Sequence, residues 1–332
     1  MSSRVKPIIF ALVLIVIGLT SPSLGQQKGQ WVPGQFELNA GVIPDPGVTY
    51  ANLAINYSAN RLNDSNGNRI LQNVTGTYSF WVDENVLYYV PKHKFLGGYF
   101  MPYIALNYAS GELVADIPDT PGANLGAGGS GFADTYVQPV NMGWHLKRAD
   151  FNAGYSFVAP TGRFTAGASN NVGSGYWGND ITSGTTFYVT KNKGTSLNLA
   201  TAWEIHRKKS GTNETPGQAF TIEWGLGQVL PIKKDLSQLL QLGLIGYDQW
   251  QVSNNGGTVT LPTGAVVPAS RLPYYSSHGI GVQSNFILPA KDLVFFFKYL
   301  DAYRAKASVE GRTFVFGFSW TLKIPKTQAP KS

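Results

Sequence analysis

Histidine is the first residue type to examine for chemistry, because it can act as a general base or bind a metal near neutral pH. The four histidines are His93, His145, His206 and His278, and their spacing is not typical of metal ligands. Glu204 and His206 are two residues apart, so a strand would carry both on one face as an acid–base or metal-ligand pair. The alternative is that Glu204 and His206 simply line a polar interior and contact solvent. The pattern predicts no metal site and no cofactor.

Serine hydrolase chemistry would need a serine, a histidine and a carboxylate or amide. Ser276 and His278 would share one face of a strand, but a pair at this spacing is too common to indicate catalysis. We therefore predict that the chain is not an enzyme. A lipid-modifying barrel enzyme is kept as the third hypothesis for its function.

The strands that would hold such residues are clearest at the end of the chain, where large apolar residues alternate with small, mostly polar ones. Phe314, Phe316, Phe318, Trp320 and Leu322 fall on one face of this last strand. Similar runs recur along the chain. They predict an all-β fold, a closed antiparallel transmembrane β-barrel with an apolar outside facing lipid and a polar inside facing water.

The first 25 residues have the features of a cleaved signal peptide, with basic Arg4 and Lys6, an apolar run over residues 8–19 and small residues before Gln26. Charged residues make up 14% of the chain, and there is no cysteine. The net charge is +7, and the lysines and arginines that produce it are scattered over predicted turns and loops, which argues against nucleic-acid binding. These features predict export to the cell outer membrane.

Period-two patterns and turn residues predict about twelve strands. Their approximate bounds are 48–58, 78–90, 97–110, 134–146, 150–159, 183–191, 195–206, 218–230, 238–250, 276–288, 292–304 and 309–323. The links alternate between long and short in ten cases of eleven, and only the last, 305–308, is short where a long one is due. Outer-membrane barrels have short periplasmic turns and long external loops. The pattern therefore predicts one barrel domain over 48–323, followed by a C-terminal tail at 324–332.

Polar residues on the faces opposite the apolar ones are the candidates for lining the lumen. They are Asn152, Asn198, Glu204, His206, Glu223, Gln283 and Asn285. Twelve strands predict only a modest bore. If Glu204 and Glu223 line an open pore, replacing them with glutamine would alter its ion selectivity.

The segment before the first strand, a glycine-rich run and two prolines each carry a structural prediction. Residues 26–47 precede the first strand and are predicted to form a periplasmic or plug segment, inside or beneath the barrel. The glycine-rich run 126–131 is predicted to be a flexible external loop. Pro102 and Pro139 each remove a ladder hydrogen bond from a predicted strand. These prolines indicate either ordinary bulges or a lateral opening in the wall.

Residues 131–164 read GFADTYVQPVNMGWHLKRADFNAGYSFVAPTGRF, with a G-x-x-D stretch, a Gly-Trp and the loop motif Pro160, Thr161 and Gly162. Tyr247-Asp248-Gln249 and the lead into the last strand add shorter matches. The chain thereby resembles the meta-pathway phenol-degradation family of outer-membrane β-barrels. The resemblance implies uptake of small hydrophobic or aromatic compounds and a geometric role for the Pro-Thr-Gly loop. The word degradation in the family name refers to a pathway association.

Sequence and resemblance together predict an outer-membrane channel or transporter for small hydrophobic or aromatic compounds. The main alternative is a structural or adhesive barrel with a plugged lumen, which would show bulky inward side chains and a tightly inserted N-terminus. The expected partners are outer-membrane lipids, a small apolar or aromatic solute and, during biogenesis, the barrel-assembly machinery.

Overall fold

The computed structural model describes residues 29–70, 75–116, 124–260 and 264–323. The predicted signal peptide and C-terminal tail lie outside these residues. Within the described chain, no helix is both long and apolar enough to cross a membrane. Helical structure is confined there to two short 3-10 turns, Ala269–Arg271 and Pro289–Lys291.

The described chain contains eighteen strands. In order they are β1 (Gly47–Asn63), β2 (Arg69–Ile70), β3 (Thr75–Val90), β4 (Tyr99–Phe100), β5 (Tyr103–Asp116), β6 (Asn124–Phe132), β7 (Thr135–His145), β8 (Ala149–Ala159), β9 (Gly178–Tyr188), β10 (Thr195–His206), β11 (Glu214–Thr215), β12 (Ala219–Pro231), β13 (Leu239–Gln251), β14 (Gly256–Thr260), β15 (Val266–Pro268), β16 (Ser276–Leu288), β17 (Leu293–Lys306) and β18 (Ser308–Lys323).

Twelve of these strands form a closed antiparallel barrel, as predicted. The wall runs β1-β3-β5-β7-β8-β9-β10-β12-β13-β16-β17-β18, and β18 pairs back with β1 from Gly47 opposite Lys323 to Asn63 opposite Ser308. Closure pairs each of these twelve wall strands on both sides, which is the condition for a sheet surrounded by lipid. Each predicted wall strand has an observed counterpart, and the ends differ by a few residues.

The links between wall strands differ strongly in length at the two ends of the barrel. Short links such as 146–148 and 189–194 lie at one end, and long links such as 160–177 and 252–275 lie at the other. The link that broke the predicted alternation is the shortest. Ala307 alone joins β17 to β18 in the left-handed region, with a φ of 45°. Its amide donates to Asp64 O at 2.8 Å, which ties this turn to the turn after β1.

The glycine-rich run 126–131 is a strand, so its prediction as a flexible loop is wrong. These residues belong to β6, which pairs with β5 from Tyr108 opposite Phe132 to Asp116 opposite Asn124. A Cβ on Gly128 would lie 2.7 Å from Gly111 O. Glycine is needed here because the two backbones approach closely, and the small residues serve pairing rather than flexibility.

The strand predicted over 97–110 is divided at Met101 and Pro102 into β4 and β5. Beyond that break, Tyr103 pairs with Gln138 of β7, and Pro139 follows at once. The register of β7 against β8 shifts between Val137 and Val140. The bulge expected at a strand proline is therefore present at Pro139, and both prolines adjoin the same cross-strand pair.

The outer face of most of the wall is a band of exposed apolar side chains. Leu197 is 50% exposed, Leu226 47% and Phe316 61%, and all three belong to the strand faces predicted to be apolar. Large apolar side chains exposed in a continuous band are stable in lipid and unstable in water.

We expect Phe316→Arg to destabilise the barrel by about 2–4 kcal/mol in phospholipid vesicles, the cost of a guanidinium near the middle of a lipid-facing band. Urea unfolding of the reconstituted protein measures this free energy. Phe316→Leu is the matched control and should stay close to the original stability. Equal stability of the Arg and Leu variants would contradict a lipid-facing position for Phe316.

Candidate functional site

Residues 29–46, here called the inserted segment, run through the interior of the barrel. Gly41 N donates to Thr186 Oγ1 on β9 at 3.0 Å, and Ala40 O accepts from Asn152 Nδ2 on β8 at 2.8 Å. On the wall, a Cβ on Gly184 would lie 2.0 Å from Ala40 O. The inward glycines of these strands therefore leave room for a second piece of chain rather than for an open bore.

Two buried wall carboxylates hold the first half of the inserted segment by its backbone amides. Glu204 Oε2 accepts from the amides of Gln30 at 2.5 Å and Trp31 at 2.9 Å. Glu223 Oε2 accepts from the amides of Gln35 at 3.1 Å and Phe36 at 2.7 Å. Its Oε1 accepts from Trp31 Nε1 at 2.7 Å. A carboxylate that receives several N–H groups replaces the water that this irregular backbone has lost.

Lys298 of β17 holds the carbonyl groups of the same segment. Its ammonium donates to Gly34 O at 3.0 Å, to Gln35 O at 2.7 Å and to Glu37 Oε2 at 2.8 Å. The side chains of Lys298 and Glu37 are 4% and 0% exposed. A buried ion pair of this kind gives geometric specificity because either partner alone would be an uncompensated charge.

Amide side chains of the wall bind the inserted segment farther along, toward the end of the barrel that has the short links. Asn198 Oδ1 accepts from Asn39 N at 3.0 Å, and Asn39 Nδ2 donates to Gln241 Oε1 at 2.9 Å. Asn285 Nδ2 donates to the same Gln241 oxygen at 2.7 Å, and Gln283 Nε2 donates to Asn285 Oδ1 at 2.9 Å. This row of amides forms a continuous polar wall on one side of the interior.

The structure thus places all seven predicted lumen residues inside the barrel. Asn152, Asn198, Glu204 and Glu223 bind the inserted segment directly. His206 is bonded within the wall, with Nδ1 2.8 Å from Gly217 O and Nε2 3.3 Å from Glu204 Oε2. Buried Gln283 and Asn285 extend the amide row. These groups contact protein, whereas the sequence pattern alone suggested contact with water.

The opposite side of the interior, formed by β1, β3 and β5, is apolar. Its buried cluster consists of Ile43, Ala51, Leu53, Ile55, Val86, Val90, Met101, Tyr103, Ala105 and Val315. The other face of β1 and β3 carries polar groups, and Asn52 Nδ2 donates to Asp83 Oδ1 at 2.7 Å. Here the inward face is apolar, and the outer face mixes such polar groups with exposed apolar side chains such as Trp81 and Leu87. This part of the wall presents an apolar surface to the lumen.

A cavity of about 250 Å³ lies between this apolar wall and the inserted segment. Its aromatic lining comes from Trp31, Phe36, Tyr57, Tyr78, Phe80, Tyr88, Tyr103, Tyr136 and Tyr247. Ring centroids are 5.3 Å apart for Tyr57 and Phe80, and 4.7 Å apart for Tyr88 and Tyr103. Aromatic surface of this extent favours an apolar or aromatic guest over a strongly hydrated one.

The loop motif Pro160, Thr161 and Gly162 lies where β8 ends, beside Asp134. Gly162 N donates to Asp134 Oδ1 at 3.0 Å. Ser174, farther along the same loop, donates to Asp134 Oδ2 through its amide at 2.7 Å and its hydroxyl at 2.5 Å. The aspartate of the G-x-x-D stretch therefore fastens the Pro-Thr-Gly turn and the loop that follows it. In this structure the motif residues make loop contacts.

The sequence candidates for catalysis are separated or otherwise engaged. His278 Nδ1 lies 2.7 Å from Asp248 Oδ1, on the outer face beside Trp250, and among the described residues no hydrogen bond joins His278 to Ser276. His145 Nδ1 lies 2.9 Å from Asp150 Oδ1, and His93 is exposed in a short link. Among the described residues, no three His, Cys, Asp or Glu side chains are grouped to hold a metal ion.

A family model described as "Putative MetA-pathway of phenol degradation" matches residues 59–321. The chain belongs to this family. The match covers the whole barrel wall except most of β1 and the end of β18, and it confirms the resemblance seen in the sequence. No curated protein matched the chain.

Solved structures with a similar fold include an outer membrane channel from Pseudomonas putida F1. It is 14% identical, has a TM-score of 0.62, and the alignment covers 88% of this chain and 100% of that chain. The transport unit of the autotransporter AIDA-I from Escherichia coli aligns at 11% identity with a TM-score of 0.47, covering 92% and 99% of the two chains. The KdgM porin aligns at 10% identity with a TM-score of 0.36, covering 81% and 99%. The first of these shares the barrel fold.

Sequence reasoning missed Lys298, Gln241 and Glu84 as interior residues. Lys298 stands between outward Phe297 and Tyr299, and its position two residues from inward Phe296 was the available signal. Glu84 was hidden because large apolar residues stand on both faces of β3, with Val82 and Val86 on its own face and Trp81 and Leu87 on the other. Period two gives two faces but does not say which of them is inside.

We expect Lys298→Met to lower the free energy of unfolding by about 3–5 kcal/mol, because Glu37 would remain buried without its cation. The double variant Lys298→Met with Glu37→Gln is the matched control and should recover most of that loss. Urea unfolding followed by intrinsic fluorescence measures both. A Lys298→Met barrel as stable as the original would show that this ion pair does not hold the inserted segment.

Proposed function

We propose that this protein is an outer-membrane channel that admits small hydrophobic or aromatic compounds. The observation that carries the proposal is the aromatic cavity against the inward apolar surface of β1, β3 and β5. A channel for hydrophilic solutes would need a hydrated path, whereas this interior is occupied on its polar side and apolar on the other. Family membership and the fold shared with an outer membrane channel support the same role.

The inserted segment acts as a plug in this proposal. It crosses the interior between the two ends of the barrel and is held by Glu204, Glu223 and Lys298. A plugged lumen conducts ions poorly but does not prevent an apolar compound from entering a cavity that opens beside the plug. The proposal also places the protein in the outer membrane, in contact with its lipids. It assigns the assembly of the barrel to the barrel-assembly machinery.

The route out of the cavity passes through the seam between β5 and β7. Tyr103 and Tyr136 line the cavity on these two strands, and their ring centroids are 5.5 Å apart. The described pairing of β5 with β7 covers three residues of each strand, from Tyr103 opposite Gln138 to Ala105 opposite Tyr136. A strand pair joined over so short a length costs less to separate, which gives an apolar compound a sideways path into the membrane.

The structural or adhesive barrel remains a second candidate, and the tightly held inserted segment is the observation that favours it. That candidate does not require a cavity lined by nine aromatic residues. Catalysis forms no part of the proposed function, and an apolar solute crossing passively needs no cofactor.

Filling the cavity tests the proposal directly. Ala109→Trp places an indole where Ala109 lines the cavity, and we expect it to slow uptake of radiolabelled toluene by cells that express the protein. Leu106→Trp is the matched control on the same strand, because Leu106 is 48% exposed on the outer face. Uptake is normalised to folded barrel in the outer membrane. Equal uptake by both variants and by the original chain would contradict a route through the cavity.

A reversible disulfide between two strands, here called a staple, tests the sideways route. Because the chain contains no cysteine, the two introduced cysteines can form only the intended disulfide within it. Ile104 pairs with Val137 across the β5–β7 seam, and both point outward. Directly paired residues are about 4.5–5.5 Å apart at Cα, within reach of a disulfide. We expect oxidised Ile104→Cys with Val137→Cys to lose most toluene uptake and to regain it on reduction.

The control staple is Leu197→Cys with Leu226→Cys, an outward pair on β10 and β12. It should leave uptake unchanged in both redox states. A seam staple that forms fully without slowing uptake would eliminate the sideways route and leave passage along the plug.

A further inference from the structure

The charges that line the aromatic cavity are all of one sign. Its described lining contains three carboxylates, those of Glu84, Glu112 and Asp134, and no lysine, arginine or histidine. The chain as a whole has the opposite balance, with 26 Lys and Arg residues against 19 Asp and Glu residues. The acidic lining is therefore a local property of the cavity and not a reflection of composition. It attracts cations and repels anions.

Of the three carboxylates, those of Glu84 and Glu112 are positioned to contact a guest, and that of Asp134 is not. Both oxygens of Asp134 already accept hydrogen bonds from the loop that contains Gly162 and Ser174. Glu84 is 8% exposed, lies in the middle of β3 and accepts one hydrogen bond, from Gln35 Nε2 to Oε2 at 3.2 Å. Glu112 is exposed and lies nearer the long-link end of the cavity.

Lys298, a buried cation of the interior, makes its described hydrogen bonds away from Glu84. Lys298 donates its ammonium to two carbonyl oxygens of the inserted segment and to Glu37. Glu84 therefore lines the cavity with an amide partner rather than a lysine in direct contact. A buried carboxylate in an apolar wall is stabilised most by a guest that brings the missing positive charge.

Aromatic rings flank Glu84 on the same inward face of β3. Phe80 precedes it by four residues and Tyr88 follows it by four, and each belongs to a larger group of packed rings. An ammonium group is attracted both by a carboxylate and by the faces of such rings, most strongly where water is excluded. The apolar body of the same molecule would pack among the rings on either side.

We propose that the cavity selects hydrophobic amines, with the protonated nitrogen beside Glu84 and the apolar part among the aromatic rings. The inference rests on the proposed function and narrows it to a substrate class. Neutral aromatic compounds of the same shape bind less tightly, and carboxylates or phenolates of the same skeleton are the least favoured.

The test compares phenethylamine, phenethyl alcohol and phenylacetate, which share one skeleton and differ in charge. Binding to the full-length mature barrel in lipid nanodiscs is measured by equilibrium dialysis, with empty nanodiscs as the blank. We expect the amine to bind at least about tenfold more tightly than the alcohol, and phenylacetate to bind most weakly. Glu84→Gln should bring the amine to within about threefold of the alcohol without weakening the alcohol.

Asp83→Asn is the matched control, because it removes the same charge from the adjacent residue on the outer face of β3. It should keep the preference for the amine. If the alcohol binds the original barrel as tightly as the amine, or if Glu84→Gln keeps the full preference, the inference is overturned while the proposed function stands. If none of the three compounds binds, both fail. Should Glu84→Gln not fold, Glu112→Gln and the comparison of the three compounds on the original barrel decide the question.

Discussion

The rest of the interior depends on one constraint, which is that a stretch of irregular backbone lies inside a barrel and away from bulk water. Each amide and carbonyl group of such a stretch needs a partner, since an unpaired one costs about 1–3 kcal/mol. Glu204 and Glu223 supply acceptors for amides at one part of the inserted segment, and Lys298 supplies a donor for carbonyls a few residues later. The segment carries no regular structure of its own there, so the wall provides the hydrogen bonds that a helix or sheet would have provided.

This requirement divides the interior into two sides. The strands that hold the segment must point carboxylates and amides inward, and their outward faces are free to be apolar. β3 contacts the segment differently, through the side chain of Gln35, whose Nε2 donates to Glu84. On β1, β3 and β5 the inward face is apolar instead, and the space left between it and the segment is the aromatic cavity. The plug and the cavity are therefore two results of one arrangement.

Most of the fold could be predicted from the sequence, because a strand that crosses a lipid layer needs alternating faces and a fixed length. The twelve wall strands and the sorting of short and long links followed from those requirements. The partner of β5 beyond Tyr108 did not, because β6 is built from glycines that carry no alternation. The site was predicted only in part. Glu204 and Glu223 stood out on polar faces, but nothing local in the sequence indicated that residues near Trp31 would bind them across more than a hundred positions.

The strands beside the cavity are joined firmly on one side, between β1 and β3, and weakly on the other, between β5 and β7. On the outside of β1 and β3, Asn52 donates to Asp83, and Tyr50 donates to Asn85 Oδ1 at 2.6 Å. Polar groups are costly in lipid, but pairing them across strands recovers hydrogen bonds of about 0.6–2 kcal/mol each and holds these two strands together. The far edge, between β5 and β7, has prolines beside its shared pair and no such polar cluster is described there. When the wall yields to a solute, it should do so at β5 and β7, because the described pairing of these two strands covers only three residues of each, Tyr103–Ala105 and Tyr136–Gln138.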